Sequence, residues 1–325
     1  MKNYRKPIVS IITSSWNREK YLKKLSKSLE KLKYRNFEWV IGNDGSTDET
    51  DKFIRLMSKK AKFKIKYVSS NVRIGKSKMI NYLLDNISGE YILECDSDDY
   101  FLPNSLDTLV NLIPKNKGKN FGGVCGQNLN TFGVSQTFKN KIPKETKKYK
   151  WENLRKILQG DATILVRSDI FKNKKFLEVD FLITESSLLD KIYKNKEFIL
   201  TPKIIKIMDR NSNNSVSFGN KLSYTRGSFY TLISVEKYHI FIKKKLIDKL
   251  KILIQFWRYS IHGDIDFFQA VKKFKPIRKN IFYVLIYPLS FIYVLRDILL
   301  NKVEKTHIEF EKNKKIAKIK LEKLS

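Results

Sequence analysis

The densest acidic segment of this chain is Asp96-Ser97-Asp98-Asp99, directly after the strand-like run Tyr91-Ile92-Leu93-Glu94-Cys95. Carboxylates this close repel one another and call for a compensating cation. A divalent ion shared between one or two of the carboxylates and the phosphates of a substrate is one solution. A solvated acidic turn, or a cap on a helix starting near Leu102-Pro103-Asn104, is the other.

Three further segments carry usable chemistry. Asn43-Asp44-Gly45-Ser46-Thr47-Asp48 follows the run Phe37 to Gly42. Asp44 there can accept hydrogen bonds from a base or a ribose, Gly45 permits a tight turn, and Thr47 can cap a helix. A plain turn with a cap uses the same residues. Thr13-Ser14-Ser15-Trp16-Asn17-Arg18 offers the flat face of Trp16 for stacking on a nucleobase; a core tryptophan is the competing reading. Asn71-Val72-Arg73-Ile74-Gly75-Lys76-Ser77-Lys78 supplies a glycine and cations where a diphosphate could lie. It lacks the GxxxxGK[ST] spacing of a P-loop, and a solvated basic loop is its bland alternative.

Each segment follows a predicted strand. Pro7 to Thr13, Phe37 to Gly42, Lys64 to Ser69 and Glu90 to Cys95 read as buried strands. Between them lie helical patterns over Arg18 to Lys33, with Leu22, Leu25, Leu29 and Leu32 on one face, over Thr47 to Lys59, and over Lys76 to Asn86. Strands alternating with helices predict a parallel sheet with helices on both faces. Ligands of such sheets bind beyond the carboxyl ends of the strands, where all four segments fall. Beyond these, Phe121 to Gln127 and Ala162 to Arg167 read as strands and Leu182 to Lys194 as a helix.

Composition narrows the partners. The chain has 325 residues and a formal charge of +32, a field that attracts nucleic acid, anionic lipid or phosphorylated small molecules. Cys95 and Cys125 form no CxxC pair, so a disulfide framework and a cysteine zinc site are excluded. His239, His262 and His307 are scattered, which leaves carboxylates as the ligands for any metal. No signal peptide is read at the start, so the expected compartment is the cytoplasm.

Together the four segments resemble the donor-binding half of family 2 glycosyltransferases, which have the GT-A fold. Ser10 to Asn17 (SIITSSWN) is similar to that family's "SIIIPxYN", with Ser14 for the proline and Trp16 for the tyrosine. VIGNDGSTDET is similar to "VDDGSTDxT", with Asn43 replacing the first aspartate. Asn71 to Leu106 follows "GxxxARNxGxxxAxGEYIxFLDxDD" in order. The resemblance is continuous over about the first 110 residues. It implies that Ser14, Trp16 and Asp44 hold the base, most often uracil, that Asp96 meets the ribose or the metal, and that Asp98 binds the metal (Mn2+ or Mg2+) at the diphosphate. Lys78 would assist at the phosphates. Further on, Thr184 to Ile192 resembles "EDxxLxxRL", which assigns Glu185 as catalytic base. Arg210 to Ser217 resembles "RxHxxSxS", which assigns Arg210 to the diphosphate. The implied reaction is a single inverting displacement from a nucleotide sugar to a glycan or lipid-linked acceptor in bacterial surface-glycan synthesis. A sugar nucleotidyltransferase and a non-enzymatic nucleic-acid-binding protein are the rivals, although no RRM, KH or zinc-finger signature is present.

The expected organisation is a GT-A catalytic domain over residues 1–219 and a basic, mainly helical region over residues 220–325. The second region carries 23 Lys and Arg against 9 Asp and Glu. Phe241 to Tyr259 reads as an amphipathic helix, and Ile281 to Leu295 is an uncharged run shorter than the roughly 20 residues of a bilayer span. Basic clusters beside aromatic and aliphatic faces predict peripheral attachment to the anionic inner face of a cell membrane.

Overall fold

A computed structural model of the chain describes residues 8–139, 141–176, 178, 186–209, 245–263, 265–300 and 316–324. Four parallel strands form its centre: β1 (Val9–Ser15), β2 (Phe37–Asp44), β3 (Lys64–Ser70) and β4 (Tyr91–Glu94), in the order β3-β2-β1-β4. They are joined by α1 (Glu19–Lys31), α2 (Thr50–Ser58) and α3 (Lys76–Asp85). The chain steps outward from β1 to β3 and then returns across the sheet to β4. With right-handed crossovers, that reversal puts α1 and α2 on one face and α3 on the other. Accordingly α1 packs on α2, whereas α3 packs against β1 and β2.

The leucine stripe of α1 explains its docking. Leu22, Leu25, Leu29 and Leu32 are fully buried with Ile11, Trp39 and Leu93. Each such side chain contributes about 1.5–3 kcal/mol. Gly42 lets α3 come close, since a Cβ there would lie 2.6 Å from the Met79 sulfur.

The sheet continues beyond β4 through antiparallel β8 (Thr163–Arg167), then β6 (Phe121–Asn130), β9 (Glu197–Met208) and β5 (Asp99–Phe101), with β7 (Lys147–Lys150) also on β9. α4 (Ser105–Val110) and α5 (Trp151–Ile157) complete this part of the chain, and α6 (Ser186–Ile192) follows, all but its last residue grouping with the second compact unit of the chain. β9 contains Pro202, and its register against β6 slips between Leu200 and Ile204, as expected where a residue cannot donate to the ladder. The far edge is closed by β10 (Ile319–Lys323), antiparallel to β3.

The chain divides into two compact units: Met1–Phe176, Ile192–Ser215 and Phe310–Ser325 form one, and Leu177–Lys191 and Val216–Glu309 the other. The expected division at 219/220 differs from this grouping because β10 hydrogen-bonds into the sheet. In the second unit, α7 (Leu246–His262), α8 (Phe267–Lys273), α9 (Lys275–Lys279) and α10 (Tyr287–Leu299) gather Leu253, Phe256, Trp257, Phe274 and Ile277 into a small core. The uncharged run ends at Leu295, where Arg296 and Asp297 follow it, but the helical segment continues past it. A 3-10 turn (Ile281–Ile286) leads into α10, so 19 residues from Ile281 to Leu299 are long and apolar enough to cross a bilayer.

Candidate active site

Parallel strands all deliver their carboxyl ends to one rim. Ser14, Asp44 and the Cys95–Asp99 turn therefore meet there, and the loop after β3 joins them. Asp44 anchors this rim. Its buried carboxylate, 3% exposed, accepts the N–H of Ile74 at 2.6 Å and of Gly75 at 2.9 Å. Burial raises its pKa, against the pull of those N–H groups and of the Arg73 and Lys78 charges. Gly45 makes the close approach of the two loops possible. It sits at φ +66°, and a Cβ there would lie 2.3 Å from the Val72 backbone.

The Ser46-Thr47-Asp48 turn ties the first two loops together. Asn17, in the left-handed region at φ 51°, accepts the Thr47 N–H at 2.8 Å, and its own N–H donates to the Ser46 hydroxyl at 3.0 Å. Thr47 is thus fastened to Asn17, where a cap of its own helix was expected. Trp16 is 37% exposed, and the Arg73 guanidinium lies 3.7 Å from its ring centroid. One face of the indole is therefore covered by a cation. Ser14 is half-buried beside Gly42 of β2. Lys78 is buried on α3 next to Asp44.

The acidic turn carries internal counter-charges. Lys76 donates to Asp96 Oδ1 at 2.8 Å and lies 3.2 Å from Glu94. Its charge holds the Asp96 carboxyl well below the ordinary aspartate value, although Asp96 is 45% exposed. Beneath the turn, Lys206 of β9 reaches Asp99 at 2.6 Å, with side chains only 7% and 4% exposed. Burial pushes the Asp99 carboxyl up to about 6 against the pull of Lys206. Burial also opposes the charge on Lys206, yet Asp99 keeps that ammonium protonated. The repulsion expected of this cluster is thus partly relieved by lysines.

Among the described residues no group of three or more His, Cys, Asp or Glu is arranged to hold a metal by itself. The groups that would suit a hard cation here are Asp98, half-buried at the rim, and the Asp96 oxygen that Lys76 does not engage; two carboxylates of this kind would need further oxygen ligands from a substrate. Lys206 was missed in the sequence. Its signal is a single cation within the apolar stretch Ile204-Ile205-Lys206-Ile207-Met208. Glu185 and Arg210 lie outside the described residues.

A doubly wound sheet with an acidic turn at its rim defines an α/β protein of GT-A type. Residues 10–173 match the profile described as Glycosyl transferase family 2, and the chain belongs to that family. A Campylobacter jejuni relative, GalNAc(5)-diNAcBac-PP-undecaprenol beta-1,3-glucosyltransferase, is 27% identical over 196 residues, 60% of this chain and 62% of the relative. The Staphylococcus aureus TarS 1–349 structure in complex with UDP-GlcNAc covers 90% of this chain and 92% of its own, at 19% identity and TM-score 0.60. A Pyrobaculum calidifontis mannosyltransferase, PcManGT, in complex with GDP-Man and Mn2+ aligns over 90% of this chain and 88% of its own, at 13% identity and TM-score 0.51.

Proposed function

We propose that this chain is an inverting glycosyltransferase that moves a hexosyl or N-acetylhexosaminyl group from a UDP-sugar to a lipid-diphosphate-linked glycan acceptor. The observation that carries the reading is the meeting of Asp44, Trp16 with Arg73, Asp96 and Asp98 at one sheet rim in a family 2 chain. The UDP-GlcNAc complex of the S. aureus neighbour supports the donor class, and the undecaprenol diphosphate in the C. jejuni relative's name supports the acceptor class. Family membership favours sugar transfer over nucleotidyl transfer and over nucleic-acid binding.

In this reading Ser14, Asp44 and Trp16 hold the base, and Asp96 orients the ribose. Asp98, with Asp96, holds the divalent ion; when bound, that ion supplies Lewis-acid neutralisation of the leaving diphosphate. Arg73, Lys76 and Lys78 add fixed positive charge at this rim, and Arg210 is assigned to the diphosphate by the family pattern. The acceptor hydroxyl is a weak nucleophile, so Glu185 takes its proton as the new bond to the anomeric carbon forms. The bond to the diphosphate breaks on the opposite face, and its electron pair leaves with UDP.

The test is release of UDP from UDP-sugars in the presence of Mn2+ or Mg2+ and a lipid-linked acceptor. Glu185→Gln is expected to keep donor binding and lose transfer by at least about 100-fold. Asp98→Asn and chelation are expected to abolish turnover. Pyrophosphate release in place of UDP, or full turnover in chelator, would overturn the proposal.

The same reading has the enzyme acting at the anionic cytoplasmic surface of the cell membrane. Support comes from the inverted polarity of α10. Its buried side carries Ser290 and Asp297 beside Val294, and Asp297 accepts Arg258 through two bonds of 2.5 and 2.6 Å and meets His262 at 3.0 Å. Its solvent side carries Leu289, Ile292, Leu295 and Leu299, the last 84% exposed. Lys272, Lys273 and Arg278 are exposed in the same unit. An apolar outer face with cations nearby suits a helix lying in a bilayer interface. The carboxylate tied to Arg258 disfavours full insertion.

A further inference from the structure

β10 is fastened to both loops that frame Asp44. At one end it holds Asn71, the first residue of the loop after β3. The Asn71 side chain accepts the Lys318 N–H at 2.5 Å and donates to the Ile316 carbonyl at 3.2 Å. Its backbone N–H donates to the Lys318 carbonyl at 3.4 Å. Three and four residues further on are Ile74 and Gly75, the two N–H donors to Asp44.

At the other end a relay of side chains runs from β10 into the loop after β2. Glu322 receives the Arg55 guanidinium through two bonds, 2.8 and 3.0 Å. Arg55 Nε donates to one oxygen of Asp51 at 2.9 Å, and the other oxygen accepts the Tyr67 hydroxyl at 2.6 Å. The Tyr67 oxygen accepts the Asn43 amide at 2.9 Å, and the Asn43 carbonyl accepts the Ser46 N–H at 3.0 Å. Every link uses a separate donor or acceptor atom, so all are made at once.

The relay also accounts for the asparagine that stands where the family pattern has aspartate. The single proton of Tyr67 is spent on Asp51, so its oxygen can only accept. A carboxylate at position 43 has no hydrogen to offer it, while the amide of Asn43 both donates to Tyr67 and accepts from Ser46.

We propose that β10 is a positioning element of the donor site, with Glu322 and Asn71 as its positioning residues. The proposal rests on the reading of Asp44 as a donor-binding residue. With β10 docked, the two loops are already in the arrangement that binds the base, so the donor does not have to order them. Coupling of this kind is reciprocal: donor binding must hold β10 more tightly by the same factor.

The experiment uses the full chain with UDP and Mn2+ as probe. Binding is measured by calorimetry, KM and kcat with the UDP-sugar, and the melting temperature alongside. Glu322→Ala and Asn71→Ala are expected to raise Kd and KM about three- to tenfold, with kcat within about twofold. Glu322→Asp should recover part of the loss. Lys323→Ala, on the same strand with an exposed side chain away from the Glu322–Arg55 pair, should change neither constant. In the unaltered protein, UDP should slow hydrogen exchange at residues 319–323. If the unaltered protein binds UDP while both alanine variants bind it equally well, or if UDP leaves exchange in β10 unchanged, β10 is only an edge strand and the proposal fails. If the unaltered protein does not bind UDP at all, the donor-site reading fails and takes this inference with it.

Discussion

Lys206→Met is the most informative single substitution in the sheet. It keeps the length of the side chain and removes its charge, leaving Asp99 buried at 4% side-chain exposure with its partner 2.6 Å away gone. Removing one member of a buried ion pair costs about 3–5 kcal/mol. Against a total stability of about 5–15 kcal/mol this is a large fraction. At about 2–4 °C per kcal/mol the melting temperature should fall by about 6–20 °C. The loss should persist in 1 M salt, because a buried pair is poorly screened; the loss from Lys52→Met, whose partner Glu49 lies 2.8 Å away at the surface, should be near zero at any salt. Replacing both members with Lys206→Met and Asp99→Leu should restore most of the stability, since the double variant strands no charge. Differential scanning calorimetry of the two single variants and the double variant decides. A drop of less than about 2 °C for Lys206→Met would refute the view that this lysine balances the acidic turn.

Two further outcomes are expected. Arg55 lowers the Glu322 carboxyl to about 2, against an ordinary glutamate value of 4.5. Its folded value is below its unfolded value, so its contribution to stability is present above 4.5 and fades as the pH falls toward 2. The melting-temperature gap between the unaltered protein and Glu322→Gln should therefore be full at pH 6 and shrink below 4.5; a gap that widens in acid would contradict the pairing. At the membrane, Leu289→Glu with Ile292→Glu should release the protein from sedimenting anionic vesicles. Retention of that variant, or no sedimentation of the unaltered protein, would count against α10 as the contact.

The central sheet was legible in sequence because doubly covered parallel strands read as continuous apolar runs. Val9–Ser15 and Phe37–Asp44 announce themselves that way. β9 did not, because Pro202 and lysines at 203 and 206 interrupt its pattern. β10 did not, because IKLEK lies in a lysine-rich tail where alternation is hard to separate from a charged helix. The positions of Ser14, Asp44, Asp96 and Asp98 at the rim follow from topology alone, which is why they could be named early. Side-chain pairings across the chain leave no local trace. Arg55 and Glu322 are 267 positions apart, and only the folded sheet brings them into register. The cover of Arg73 on Trp16 was hidden for the same reason.

The edge that β10 closes has a practical side. Without it, β3 would present the row of unpaired backbone groups of Lys64–Ser70 to solvent, and its two lysines, Lys64 and Lys66, are both drawn to the buried Glu38 carboxylate and do little to discourage another chain from pairing there. A shortened protein ending at residue 219, made to discard the basic tail, would therefore be prone to sheet-edge self-association. Recombinant preparation should keep the final strand, or fuse it back by a short linker in place of the helices.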